Sequence, residues 1–371
     1  MSFPKIGLYA VAKYTGAPFV LPDGTLDPQV IEDTARFGTV IVEAYVILQR
    51  PEIAEALRAA NPALRLIAFM DLEKVHAAPR SLNPATDLRY EMFRALADVS
   101  DGRGILLSAK DGWMFDPEHL PGTRTPWSSY AAALNCTEAV EALASVVIER
   151  VIKSGLFDGV FFDLAQHSII WASSKDDSGD VIDTYRAGFA APPSLDFDAA
   201  YREGHRLFFR RLHDVAEIDD FVIEFNCSDT DPMEIAHTNG QMDEGFPSNP
   251  GGGHDWLKVM QGIWTREEDR GVWTPENWIN MTSDGAGGIP FGLGSACMTN
   301  SARFTCSGTN GRPEPDGREK LWHPLYDIDL GDALGPAMRG GVKGTTIWVR
   351  EFTRGAVIVD PARRQARFYG R

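Results

Sequence analysis

The chain has 371 residues, of which 44% are hydrophobic and 24% are charged, and its formal net charge is −16. This composition is typical of a globular protein with enough apolar material for a large core. The negative charge disfavours binding to nucleic acid or to an anionic membrane surface, because both of these partners are themselves negatively charged. A neutral or cationic ligand fits this charge better.

The first hundred residues alternate between short apolar segments and helical patterns. Asp27 and Pro28 form a typical N-cap and first-turn pair for the first of these helices. The predicted strands are Ile6–Val11, Thr39–Val46 and Leu64–Asp71, and the predicted helices are Asp27–Phe37, Pro51–Asn61 and Leu88–Val99. Three successive strand–helix units predict a parallel sheet with helices outside it.

The segment after the third unit reads as a β-hairpin that turns at Lys110-Asp111-Gly112, and we predict an insertion over 104–130. Beyond it, the pattern of strands and helices resumes. The further predicted strands are Phe157–Asp163, Phe221–Asn226, Gln241–Phe246, Trp278–Thr282 and Gly344–Val349, and the helices are Thr137–Ser154, Leu195–Ala216 and Trp256–Thr265. Without the hairpin this makes eight strands.

Eight strands with intervening helices predict an α/β fold, a (β/α)8 TIM-type barrel. We expect one barrel domain over residues 1–371, with a β-hairpin excursion after the third unit. A closing β segment over 350–371 is predicted as a short C-terminal β-hairpin of Ala356–Val359 with Gln365–Tyr369.

Functional residues of a parallel barrel lie at the carboxyl ends of its strands. Five polar side chains end predicted strands: Glu43, Asp71, Asp163, Asn226 and Glu244. Cleavage of a glycosidic bond needs one carboxyl group to protonate the leaving oxygen and another to attack or to activate water. The pattern therefore predicts a glycoside hydrolase.

Asp163 and Glu244 are the predicted catalytic residues. Asp163 directly follows the apolar Val160-Phe161-Phe162, so a buried strand ends in a carboxylate. In the second segment either Asp243 or Glu244 could point into the barrel, because alternate residues of a strand face opposite ways. Glu244 is nearer the strand end and has the longer side chain. The alternatives to a catalytic role are that Asp163 caps the next turn and that Glu244 is a solvated loop residue.

Four polar residues and two tryptophans are predicted to bind substrate. Glu43, Asp71, Asn226 and Asp243 are expected to hydrogen-bond sugar hydroxyl groups, and Trp113 and Trp322 to stack on sugar rings. The alternatives are structural pairing for the polar residues and core packing for the tryptophans.

Other chemistries find no support in the chain. The four cysteines form no CxxC pair, and the histidines have no metal-ligand spacing. The glycine-rich stretches are not followed by Lys-Ser/Thr, and no GxSxG motif is present. We therefore expect no metal and no cofactor, and the sequence does not indicate the oligomeric state.

Five segments in order carry a family resemblance: GLFDGVFFDLAQ, HTNGQMDEGF, FGLGSACMTNSARF, HPLYDIDLGDALG and IWVREFTRGAVIVDP. From about residue 150 to the end, the chain resembles hypothetical glycosyl hydrolase family 15, a family of barrel proteins. The resemblance implies an acidic residue after the fourth strand and another after the sixth, which are Asp163 and Glu244 here. It also implies that Arg350 and Phe352 end the eighth strand.

The chain departs from that pattern in three ways. Leu164 follows Asp163 where such families often have Asn, and the region of SARFT and His323-Pro324-Leu325 lacks expected acidic residues. The N-terminus carries no secretory signal pattern, although family members usually do. The missing signal pattern predicts a cytoplasmic enzyme or a bacteriophage virion component, and a secreted protein only if a leader has been removed.

Two further hypotheses stay open on the sequence alone. One is a non-catalytic carbohydrate-binding or structural barrel, for example a phage tail component that recognises a host surface glycan. The other is a barrel hydrolase or lyase for a small molecule, which would have a closed pocket where a polymer-degrading enzyme has an open groove.

Overall fold

The computed structural model describes most of the chain in segments. The described residues are 3–10, 19–72, 74–76, 87–99, 105–106, 129–163, 165, 195–216, 221–226, 236–247, 255–269, 276–281, 288–306, 322–341 and 346–370. Within them the α-helices are α1 Pro28–Ala35, α2 Ala44–Gln49, α3 Pro51–Ala60, α4 Leu88–Ala97, α5 Thr137–Arg150, α6 Leu195–Val215, α7 Trp256–Asp269 and α8 Gly288–Ala296.

The strands fall into three sheets. The strands in chain order are β1 Gly7–Tyr9, β2 Thr39–Glu43, β3 Arg65–Asp71, β4 Lys74–His76, β5 Ile105–Leu106, β6 Ser129–Ala132, β7 Gly159–Asp163, β8 Val222–Asn226, β9 Gly240–Glu244, β10 Trp278–Met281, β11 Arg303–Cys306, β12 Met338–Gly340, β13 Ile347–Phe352, β14 Gly355–Asp360 and β15 Gln365–Gly370.

The largest sheet among the described residues has eight strands in the order β1-β2-β3-β7-β8-β9-β10-β11. Its registered pairs are all parallel. A parallel bridge between Ile6 and Phe304 joins the beginning of β1 to β11, so the first strand pairs with the last. The predicted (β/α)8 TIM-type barrel is therefore confirmed.

The eighth barrel strand is not the predicted one. The structure has Arg303–Cys306 as β11, whereas the predicted Gly344–Val349 overlaps β13 of a separate antiparallel sheet. The implied position of Arg350 and Phe352 at the end of the eighth barrel strand is wrong for the same reason. β11 is only four residues long and begins with an arginine, so its sequence has little of the apolar character that marks the other strands.

Both accessory sheets are antiparallel. β4, β6 and β5 form the excursion after the third barrel strand, and the predicted turn at Lys110–Gly112 lies outside the described residues. The C-terminal sheet has the order β12-β13-β14-β15, and β14 with β15 is the hairpin expected there.

The chain divides into two compact units, which we describe separately. Unit 1 comprises residues 1–42, 52–66 and 239–371, and unit 2 comprises residues 43–51 and 67–238. The single barrel domain over 1–371, with its 104–130 insertion and 350–371 closing segment, stays a prediction.

In unit 1 the N-cap of α1 was predicted from the sequence, and one close contact in the structure requires a glycine. The Asp27 carboxylate accepts hydrogen bonds from the backbone N–H groups of Gln29 and Val30, as predicted for this N-cap. A Cβ on Gly7 would lie 2.3 Å from the buried ring of Trp278, so only glycine fits at this point of β1.

In unit 2 an aromatic layer joins the sheet to α6. Phe162 of β7 packs edge-on against Phe208 and Phe209, and Phe225 of β8 contacts Phe209 at a centroid distance of 5.5 Å. All four rings are fully buried. Burial of this much apolar surface stabilises the unit, and it also determines which side chains of β7 and β8 face away from the helices.

Candidate active site

Asp163 in unit 2 lies at the carboxyl end of β7, on the sheet face opposite α6. Since Phe162 and Phe225 pack on α6, the alternating neighbours Phe161, Asp163 and Asn226 point to the other face. In a closed parallel barrel that face is the interior, and its carboxyl end carries the functional residues.

Asp71, Asp163 and Asn226 form one row across three adjacent strands. Asp71 is registered directly opposite Asp163 in the β3–β7 pair. On the other side, the Asn226 amide donates a hydrogen bond from Nδ2 to Oδ1 of Asp163 at 3.0 Å. All three side chains are only partly exposed. The row therefore presents two carboxylates and one amide.

The layer below this row is largely apolar. Phe161 is stacked on Phe69 with ring centroids 6.2 Å apart, and both rings are buried. Glu224 of β8 is registered with Phe161, so it lies on the same face one layer below Asn226. Glu224 is 1% exposed. An apolar layer beneath a carboxylate strengthens the electrostatic interactions of that carboxylate.

Glu43 in unit 2 is held by a buried arginine. Nη1 of Arg89, in the first turn of α4, is 3.5 Å from Oε2 of Glu43, and Nε is 3.9 Å from Oδ1 of Asp87. The guanidinium also lies 4.6 Å from the ring centroid of Tyr45. In the described part of the chain, Nε and Nη2 of Arg89 have no hydrogen-bond partner. These donors can serve a ligand hydroxyl group or a water molecule.

In unit 1 the Asp243 carboxylate points to the helix layer. Its Oδ2 is 2.5 Å from Nη2 of Arg266 on α7, and the Arg266 side chain is 4% exposed. Nε of Arg266 donates to Oδ1 of Asn277, whose amide donates to the Ser301 hydroxyl group. These contacts hold the Asp243 carboxylate between the sheet and α7. The predicted contact of Asp243 with substrate stays a prediction.

Glu244 therefore faces the barrel interior, because neighbouring residues of β9 point to opposite faces. Trp278 supports this orientation, since it is registered with Met242 and reaches Gly7 of β1 across the intervening β11. Asn280 of β10 is registered with Glu244 and shares its face. Glu244 is exposed, whereas Asn280 is fully buried.

Of the two tryptophans predicted to bind sugar, the structure describes one, and both sugar contacts stay predictions. Trp113 lies outside the described residues. Trp322 packs edge-on against Phe37 at 5.1 Å, lies under the Arg36 guanidinium at 3.9 Å and donates from Nε1 to Asp327. Phe37 precedes β2, so the structure places Trp322 near the amino end of that strand. Glu244 and Asn280, in contrast, lie at or near the carboxyl ends of their strands.

The sequence did not point to two residues near these strand ends, Asn280 and Arg89. Asn280 satisfies the strand-end rule, because it lies near the carboxyl end of the strand predicted as Trp278–Thr282. Arg89 gives no comparable signal, because it belongs to a helix and meets Glu43 only in the folded chain.

No group of three or more His, Cys, Asp or Glu side chains in the described segments could hold a metal ion. Among those same segments, no helix has the length and apolarity needed to cross a bilayer.

A (β/α)8 barrel with carboxylates on its inward face at the strand ends is the arrangement of a barrel enzyme. The sequence of residues 110–356, more than half of the chain, matches the model of hypothetical glycosyl hydrolase family 15. The chain belongs to this family, as the five sequence segments indicated, and it is a glycoside hydrolase by class.

Solved structures with similar folds have low sequence identity. A cyclic α-maltosyl-(1→6)-maltose hydrolase from Arthrobacter globiformis, in complex with maltose, shares 12% identity over 96% of this chain and 91% of its own, with a TM-score of 0.48. A GH36 α-galactosidase from Geobacillus stearothermophilus shares 9% identity over 96% of this chain and 46% of its own, with a TM-score of 0.49.

A β-galactosidase from Halorubrum lacusprofundi shares 11% identity over 86% of this chain and 54% of its own, with a TM-score of 0.48. Curated protein sequences include no significant match to this chain. Similarities of this size carry no conclusion about the substrate of the chain.

Proposed function

We propose that this glycoside hydrolase cleaves a poly- or oligosaccharide with Asp163 and Glu244 as its two catalytic carboxylates. The observation that carries the proposal is the row at the end of β7, where Asp163 lies on the face opposite α6 beside Asn226 and Asp71. In unit 1, the outward contact of Asp243 with Arg266 supports Glu244 as the inward acid of β9.

The chemistry of hydrolysis requires two carboxyl groups in different protonation states. The protonated group gives its proton to the glycosidic oxygen as the bond from this oxygen to the anomeric carbon breaks. In a one-step reaction a water oxygen bonds to the anomeric carbon, and the ionised carboxylate takes the proton of that water. In a two-step reaction the ionised carboxylate itself first bonds to the anomeric carbon; water then displaces it, and the proton of that water goes to the group that protonated the leaving oxygen. The products are two shorter saccharides.

The supporting residues have proposed roles in binding. Glu43 and Asp71 accept hydrogen bonds from sugar hydroxyl groups, and the two available donors of Arg89 add to the contacts near Glu43. Asn280 is a further candidate because it shares a face with Glu244. The net charge of −16 favours a neutral or cationic glycan as the substrate.

The test is product release from a panel of bacterial surface and cell-wall polysaccharides by wild type, Asp163→Asn and Glu244→Gln. The matched control is Asp158→Asn, which changes the same residue type just before the amino end of β7. We expect one polymer to be cleaved by wild type and by the control, and the product to disappear in both site variants. Binding without cleavage by wild type would contradict the proposal and favour a non-catalytic barrel.

A further inference from the structure

The hydrogen bond between Asn226 and Asp163 bears on which of the two catalytic carboxyl groups is ionised and which one donates the proton. Nδ2 of Asn226 is 3.0 Å from Oδ1 of Asp163, within the range of an N–H···O hydrogen bond. An amide nitrogen can only donate, so the Asp163 oxygen is the acceptor. A donor directed at a carboxylate oxygen stabilises the ionised form of that group.

Two features of the described residues around Asp163 oppose this effect. Asp71 is registered beside it on β3, and two carboxylates in adjacent positions disfavour double ionisation. The stacked Phe161 and Phe69 one layer below also disfavour a charge, because apolar surroundings remove solvation. Among these contacts, Asn226 supplies the donor that favours the anion.

Packing also fixes the position of the Asn226 side chain. The preceding Phe225 contacts Phe209 of α6 and is fully buried, so β8 cannot rotate without breaking that contact. The alternation along the strand then directs Asn226 to the side of Asp163. The hydrogen bond is therefore preorganised by the aromatic layer and does not depend on a mobile side chain.

We propose that Asn226 is a positioning residue that holds Asp163 as the ionised and oriented member of the catalytic pair, which leaves Glu244 as the proton donor. This inference rests on the proposed function for the identity of the pair. It differs from the expectation that Asn226 binds a sugar hydroxyl group, since here one N–H of the amide is directed at Asp163.

The first experiment needs no substrate. The protein is labelled with 13C at the aspartate carboxyl carbons, and Asp163 is assigned by the signal that disappears in Asp163→Asn. We expect Asn226→Ala to raise the measured pKa of Asp163 by about one unit, because a hydrogen bond to the charged form is lost. The control is Asn61→Ala, whose amide donates to the Ala35 carbonyl oxygen at 2.8 Å, and it should leave the Asp163 signal unchanged.

The second experiment follows kcat and KM against pH on the polymer found in the panel. Asn226→Ala should move the acidic limb of the kcat/KM profile upward by about one unit and lower kcat about tenfold, with KM within about twofold of wild type. Thermal melting of both variants checks that they are folded.

Two results would overturn the inference. One is an unchanged titration of Asp163 in folded Asn226→Ala. The other is a rise in KM of about tenfold with an unmoved acidic limb, which would make Asn226 a sugar contact. If wild type cleaves no glycan, the proposed function fails, and the titration still decides whether Asn226 keeps Asp163 ionised.

Discussion

Glu276 at the amino ends of the barrel strands in unit 1 and Asp163 at a carboxyl end in unit 2 have different charged neighbours. At the amino ends, Glu276 is bound on both sides, by Arg65 at 3.0 Å and by Arg303 at 2.9 Å, and its side chain is 2% exposed. At the carboxyl ends, Asp163 stands beside the like-charged Asp71 and receives a neutral amide donor.

This difference distinguishes charged residues that stabilise the fold from charged residues that take part in catalysis or binding. A carboxylate between two arginines is compensated, and its removal leaves two partly buried cations without their common partner. A carboxylate placed beside another carboxylate contributes little to the stability of the fold, so its presence there points to a role in catalysis or binding. Substitutions at the two strand ends should therefore divide into those that affect stability and those that affect activity.

The largest effect is expected for Glu244→Gln. The amide cannot donate a proton to the leaving oxygen, so kcat should fall by a factor of about 10²–10⁴ on a substrate with a poor leaving group. A substrate with an activated leaving group needs less protonation, and its cleavage should fall much less. Equal losses on both substrates would contradict the role of proton donor.

The next effect concerns stability alone. Glu276→Gln should lower the free energy of unfolding by about 3–5 kcal/mol, since Arg303 and Arg65 lose their common partner. Denaturant unfolding measures this change. The double variant Glu276→Met with Arg303→Met should recover much of the loss, and a further decrease in the double variant would show that the ion pair is not the cause.

A smaller loss of stability is expected for Asp243→Asn. The substitution keeps a hydrogen-bond acceptor for Arg266 but removes the negative charge, at a cost of about 1–3 kcal/mol. Activity per folded molecule should stay within about twofold of wild type if Asp243 belongs to the packing of sheet and helix. A tenfold rise in KM would instead confirm its predicted contact with substrate.

Trp322→Ala tests the position of that residue near the amino end of β2. The lost contacts with Phe37 and Arg36 should lower the free energy of unfolding by about 1 kcal/mol or more. KM for the glycan should not change, and Trp322→Phe should retain most of the stability. An increase in KM for both variants would identify Trp322 as a sugar platform.

The smallest expected effect is a pH dependence from His213 and His237, whose rings are 5.1 Å apart in unit 2. Burial lowers the pKa of both, and the neighbouring His213 and Arg210 lower that of His237 further, while Asp214 opposes these effects. The folded chain therefore binds fewer protons than the unfolded chain below about pH 6.5.

The resulting stability is complete above about pH 6.5 and is lost as the pH falls toward the lowered pKa values. Melting temperatures at pH 5.5 and pH 7.5 should differ more for wild type than for His237→Gln. An equal difference in the two proteins would exclude this pair as the source.

The sequence predicted most of the barrel because its strands are apolar runs followed by helices. Phe157–Asp163 illustrates this success, since four of its last five residues are buried and the strand ends in the structure where the pattern ends. Arg303–Cys306 illustrates the failure, because a short strand with a charged first residue does not differ from a loop. The hydrophobic pattern of a sequence indicates which residues are buried, whereas the pairing of a strand with its neighbours is visible only in the folded chain.

The same limit applies to the candidate site. The strand-end rule selected Asp163, Asn226 and Glu244 as candidates, but the direction of Asp243 depends on Arg266, which lies beyond the next loop in the sequence. Arg89 meets Glu43 through tertiary packing alone. For Trp322, the residue type indicated stacking without indicating the strand end at which it would occur.

The most direct test of the account is to measure kcat and the free energy of unfolding of Asp163→Asn on one preparation. We expect kcat to fall at least about 10³-fold and the free energy of unfolding to change by less than about 1 kcal/mol, because Asn can still contact Asn226. Retained activity would contradict the catalytic role of Asp163. A loss of stability as large as that of Glu276→Gln would show that Asp163, too, is maintained for folding.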